Sequence, residues 1–201
     1  MIFVRHAMPA LDPAVPPTAW HLGDEGRAAA RRLHLPPDAY LVASDEPKAV
    51  ETLRYAAPGA PVHQDPGFAE VHRPAVWQPD HHTLARAYVT GSIPATALVH
   101  TPAPDSSNPA SDHPRAPAGR PGARVPDGWE PPAEVVARFG AAVERHRTRA
   151  AGRPLVVATH GMALTCWLTA HALIAAEPAR FWENLRFPDV IEIRSTGRER
   201  P

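Results

Sequence analysis

Short, continuously apolar runs alternate along this chain with longer stretches in which apolar residues return every three or four positions. Met1–Val4, Tyr40–Ala43 and Leu155–Thr159 carry almost no polar side chain, as expected of central strands covered on both faces. Pro61–His63 and Val190–Arg194 read as two further strands. Between them, Asp24–Leu35 opens on two acids and closes near Arg31 and Arg32, the polarity a helix dipole favours. Asp45–Ala57 places Ala49, Leu53 and Ala56 or Ala57 on one side, and Pro132–Ala150 repeats Val135 or Val136, Phe139 and Val143 at helical spacing. Gly161–Ala176 is apolar nearly all round and reads as a helix buried against a sheet, and Gln78–Gly91 reads as one more helix. Strands alternating with helices predict an α/β fold with a largely parallel sheet.

The pattern breaks at Thr101–Asp127, where proline mixes with Ser, Asn, Gly and Arg and no periodicity survives. This stretch is expected to be a mobile Pro-rich insertion into one domain spanning 1–201, because it offers too little apolar surface to pack. A chain of 201 residues suits one substantial core. Its 21 basic and 21 acidic side chains cancel, which argues against nucleic-acid and membrane-surface partners; an anion site must then be a local cluster. Cys166 is the only cysteine, so an internal disulfide is excluded, and the chain suits a reducing compartment. No signal-peptide pattern and no apolar run near the roughly 18 residues of a membrane helix is visible, so the expected location is cytoplasmic.

Candidate chemistry gathers where strands end. Arg5 and His6 follow the first apolar run, and His160 follows the fourth strand with Gly161 opening a helix behind it. In open α/β sheets ligands bind at the carboxyl ends of strands, near helix N-termini whose free N–H groups favour anions. If both strands are central, the two histidines face one crevice. Ser44, Asp45 and Lys48 lie at the end of the second strand, and a lysine near a helix start opposes the dipole unless an anion accompanies it. Each residue has a plainer reading: a frayed terminus for Arg5 and His6, a backbone-satisfied core imidazole for His160, a solvated surface ammonium for Lys48.

Taken in order, these segments resemble the histidine phosphatase superfamily, which includes the cofactor-dependent phosphoglycerate mutases. FVRHA at 3–7 is similar to its Arg-His-Gly signature, with Ala7 in place of glycine. LGDEG at 22–26 resembles the opening of its first helix, and SDEPKAVETL at 44–53 its Ser-x-x-x-Arg-Ala-x-x-Thr segment, with Lys48 in place of arginine. FAEV at 68–71 is similar to the stretch bearing the acid glutamate, and VVATHG at 156–161 to the second-histidine motif. The resemblance implies a phosphoglycerate mutase-like three-layer sandwich, with helices on both faces of a mostly parallel sheet and no metal or other cofactor. It implies His6 as nucleophile, Glu70 as general acid, His160 as its catalytic partner, and Arg5, Lys48, His160 and Gly161 around the phosphoryl group.

Those roles agree with the chemistry of the side chains. A neutral imidazole splits one difficult displacement into two through a phosphohistidine. Arg5 offers a planar fork to two phosphoryl oxygens, whereas Lys48 keeps the charge without the fork. His72 and Asp45 remain alternatives to Glu70, which as an ordinary loop glutamate would have no role. Arg73, Trp77, His81 and His82 are candidates for the substrate entrance, and Asp12 stands where mutases tend to carry asparagine. The expected activity is hydrolysis of a phosphomonoester, small or protein-borne. Mutase-type phosphotransfer, a non-catalytic phosphate-binding role and a histidine-built metal site are the alternatives, the last disfavoured because His81 and His82 are adjacent and point apart.

Overall fold

The computed structural model describes residues 1–74, 80–91, 125 and 128–193. Five strands form one mixed sheet: β1 (Ile2–Arg5), β2 (Tyr40–Ala43), β3 (Val62–Gln64), β4 (Leu155–Thr159) and β5 (Asp189–Glu192). Their spatial order is β3-β2-β4-β1-β5, parallel throughout except for the antiparallel pairing of β5 with β1. The three apolar runs are the three inner strands, which is why they show no polar alternation. The sheet is mostly parallel and helix-covered, as the sequence predicts.

Alternate residues of each inner strand serve two separate cores. Val4, Leu41, Ala43, Val156 and Ala158 pack with Ala49, Val50 and Leu53 of α2 (Pro47–Ala56). Phe3, Tyr40, Val42, Leu155 and Val157 turn the other way, onto Phe139 and Val143 of α4 (Pro132–Ala150) and Leu164, Trp167 and Leu168 of α5 (Gly161–Ala170). The two-residue period of a strand thus feeds a helical layer on each face. The remaining helices are α1 (Asp24–Ala30), α3 (His81–Thr90) and α6 (Pro178–Asn184).

Several boundaries differ from the expectation, for local reasons. Helix α1 stops at Ala30 rather than Leu35, its chain tightening into three-residue turns at Arg32 and Leu33. Pro36 follows closely and pushes Leu35 out of helical geometry. Helix α2 starts at Pro47, not Asp45, because proline's missing N–H costs nothing in a first turn. Helix α5 ends at Ala170 instead of Ala176: Ala172 takes a positive φ of 52° and Leu173 N–H returns to the Leu168 carbonyl. The seven-residue α6 was not anticipated. The Glu177 carboxylate caps it, accepting from the N–H groups of Ala179 and Arg180. Gln78, Trp77, Arg194 and, apart from Val125, the Pro-rich stretch Thr101–Asp127 lie outside the described residues.

Candidate active site

Strand order brings the candidate residues together. β4 lies between β1 and β2, so His6, Ser44 and His160 leave adjacent strands at the same end. The ladder continues into them, with His6 N–H on the Thr159 carbonyl (3.0 Å) and Ser44 N–H on that of Ala158 (2.9 Å). His6 and His160 line a cleft of about 420 Å³ together with Arg5, Glu46, Lys48 and Glu70, and Ser44 is buried behind them.

His6 is buried, and its Nδ1 lies 2.8 Å from the Ala7 carbonyl oxygen. A carbonyl only accepts, so Nδ1 carries the hydrogen and donates it. Burial, then the neighbouring His160, Lys48 and Arg5, hold the pKa well below its ordinary value. The ring is therefore neutral, with the Nε2 lone pair uncommitted. The following backbone is fixed too: Ala7 N–H donates to the Thr52 hydroxyl (2.9 Å), which donates to the Lys48 carbonyl (2.7 Å). Thr52 ties the backbone after His6 to α2, a contact the motif contained without disclosing it.

His160 ends β4 and is fully buried. Its Nε2 sits 2.9 Å from the Ser44 hydroxyl and 3.3 Å from Glu46 Oε1. A carboxylate only accepts, so Nε2 is the protonated nitrogen. Burial, then Lys48, hold this imidazole well below the usual range as well. Its buried Nδ1 has no partner among the described residues, and neither does Nε of Arg5. Buried polar atoms are nearly always paired; the Arg5 Nε–H lacks an acceptor, and the unprotonated His160 Nδ1 lacks a donor.

The Arg5 guanidinium donates to the Leu185 carbonyl (2.6 Å) and lies 3.6 Å above the Phe187 ring. Burial lowers its pKa to about 10, against the pull of Glu70 and Asp189, so it stays charged at neutral pH. Gly161 is where this packing demands no side chain: a Cβ would lie 3.3 Å from Arg5 Nε and 3.1 Å from Trp182 Nε1. Leu185, Phe187 and Trp182 come from α6 and the segment after it, and sequence reasoning did not assign them to the site.

Lys48 has its anion, and it is a residue of the chain. The buried ammonium pairs with the Glu46 carboxylate and donates to the Pro17 carbonyl (2.7 Å). One of its three donors is left. Glu46, absent from the expectations, also accepts the Glu70 N–H (2.9 Å). It thereby joins Lys48, His160 and the Glu70 backbone.

Glu70 holds the mouth of α5. Its carboxylate accepts from the N–H groups of Ala163 (2.9 Å), Met162 (3.3 Å) and Val71 (3.0 Å). The segment beneath it is clamped by Arg138 of α4, whose guanidinium donates to the carbonyls of Gly67, Ala69 and Glu70 and to both oxygens of buried Glu130. Asp45, the alternative to Glu70, is exposed and outside the cleft lining, and His72 stands at the rim with its side chain 68% exposed. Arg73 and His81 line the entrance, bonded to each other at 2.9 Å. His82 packs on Trp182 and is not a lining residue. Asp12 is spent on its own turn, accepting Ala14 N–H. Among the described residues, no three His, Cys, Asp or Glu side chains are grouped to hold a metal ion, and no helix is long and apolar enough to cross a membrane.

The family model described as the histidine phosphatase superfamily, branch 1, matches residues 103–194, a span that includes the second-histidine motif. No curated protein matches in sequence. Among solved structures, YhfR of Bacillus stearothermophilus is 17% identical with a TM-score of 0.60, covering 96% of this chain and 90% of its own. The product of the Mycobacterium tuberculosis open reading frame Rv3214 is 16% identical, with TM-score 0.58 and coverage of 97% and 91%. A mycobacterial glucosyl-3-phosphoglycerate phosphatase is 17% identical, with TM-score 0.55 and coverage of 91% and 82%. At these identities the neighbours speak for the fold. Residues 103–194 thus resemble the histidine phosphatase superfamily, branch 1, and the chain shares its fold with these solved structures.

Proposed function

We propose that the cleft hydrolyses a phosphomonoester through a phosphohistidine on His6, without a metal. The observation that carries this reading is the crevice itself: a buried neutral imidazole with its Nε2 lone pair uncommitted, beside two unpartnered buried polar atoms on Arg5 and His160. A phosphoryl group brings acceptor oxygens to both and charge for Arg5. Its negative charge also favours protonation of His160, which turns Nδ1 into the donor those oxygens need.

In the first step His6 Nε2 attacks phosphorus, the N–P bond forms, and the P–O bond to the alcohol breaks. Protonated Glu70 gives its proton to the departing alkoxide. In the second, water attacks phosphorus while the Glu70 carboxylate takes its proton; the N–P bond breaks and inorganic phosphate leaves. Arg138 keeps Glu70 in reach by fixing the carbonyls around it. Hydrolysis is favoured over mutase-type transfer by the Glu46–Lys48 pair, because a mutase must retain its phosphoryl groups and here one nearby cation is already engaged.

Quenching the protein with a labelled phosphomonoester in the presence of chelator is expected to trap an acid-labile, alkali-stable phosphoenzyme. Turnover that disappears on chelation, with no such species, would overturn the reading.

A further inference from the structure

Between Met8 and Trp20 the chain forms one wall of the cleft. The segment is pinned by the Pro9–Leu22 bridge and by Ala10 N–H on the His21 carbonyl (2.9 Å). Its one charged side chain, Asp12, caps its own turn. The indole N–H of Trp20 is directed at the Asp12 and Val15 carbonyls (3.0 Å each), and the Pro17 carbonyl accepts from Lys48. With these polar groups satisfied inside the loop, the cleft receives Met8, Leu11, Pro16 and the Trp20 ring. Leu11 is 61% exposed there.

The facing wall is similar, with Val71, Met162, Trp182 and Phe187. Outside Arg5, His6, Glu46, Lys48, Glu70 and His160, and apart from the indole N–H groups of Trp20 and Trp182, the described lining offers Thr18, His72, Arg73 and His81 as polar side chains, and the last two are bonded to each other. A sugar or polyol would lose water here with few partners in return, at a cost on every hydroxyl left unpaired. Burial of an apolar body costs nothing of the kind, and the cleft's volume is within the range of sites that take such bodies.

We infer that the substrate is a phosphomonoester whose alcohol carries an aromatic or comparably flat apolar group, seated between Leu11, Trp20 and Trp182. This rests on the phosphatase reading and adds the leaving group to it.

The test compares kcat/KM for 3-phenylpropyl phosphate, n-propyl phosphate and glycerol 3-phosphate, with phosphoenzyme trapping run alongside. All three release primary alcohols, and the phenylpropyl alcohol is no better a leaving group than glycerol. The expected order puts the phenylpropyl ester at least about tenfold above both others, the discrimination one apolar pocket supplies. Trp20→Ala should collapse that ratio, and the exposed Leu11→Ser, which no core packing depends on, should reduce it. A phosphoenzyme with equal rates, or with glycerol 3-phosphate preferred, overturns this inference alone. Absence of turnover and of phosphoenzyme with every ester overturns the phosphatase reading, and this inference with it.

Discussion

The cage and the entrance of this cleft are built on opposite principles. In the cage, at the ends of β1, β2 and β4, most polar atoms are buried and fixed, and Arg5 Nε and His160 Nδ1 are buried without a partner among the described residues. In the entrance the polar groups of the 8–20 segment are turned into the loop, and apolar surface is left for the ligand. A phosphoryl group is charged and has fixed geometry, so it needs donors placed in advance. An alcohol body of varied shape asks only for apolar contact. The difference predicts that cage variants change the chemistry and entrance variants change which ester is chosen.

The largest effect is expected from His6→Ala, which should cut kcat by at least about a thousandfold with every ester, measured by phosphate release. Retention of most activity would remove His6 as the attacking group. Glu70→Gln should slow turnover about 10²- to 10⁴-fold. The loss should be greater for alkyl than for nitrophenyl esters, since a poor leaving group depends most on its proton. Equal losses across that series would take the acid role from Glu70.

A smaller effect, with an unusual sign, is expected at Glu46. Its carboxylate competes with phosphate for Lys48 and stands 3.3 Å from His160. Glu46→Gln should therefore tighten inhibition by inorganic phosphate, by about tenfold at neutral pH. Weakened binding would show instead that the pair organises the cage.

Much of the cage is legible in the chain because its supports are local. β2 and β4 lie where their apolar runs lie, and α4 begins at Pro132 and ends at Ala150 as its periodicity demands. Strand ends then point to His6 and His160. What was not legible acts across long separations or without periodicity. Arg138 reaches carbonyls about seventy positions away, and Arg5 rests on Leu185 and Phe187. Seven residues are too few for α6 to show a helical face. Lys48 is instructive in another way: the dipole argument foresaw an anion beside it, and the anion proved to be Glu46, two residues before it.

The smallest effect concerns stability. His6, His160, His81 and His146 all have lowered pKa values, burial being the leading cause and His81 reaching about 4. Each binds its proton more readily unfolded, with a pKa near 6.5, than folded. Their contribution is thus fully present above that value and lost as pH falls, for His81 across the window from about 6.5 to about 4. Urea midpoints should decline through this window, less steeply in His81→Asn. A flat profile down to pH 5 would contradict the neutral, buried histidines on which the cage depends.

The most direct measurement is the position of the phosphoryl group itself. Protein quenched during turnover and digested at alkaline pH should yield, by mass spectrometry, a single phosphorylated peptide with the modification on His6. Phosphate on His160, or on any residue outside the cage, would contradict the assignment of His6 as the attacking group.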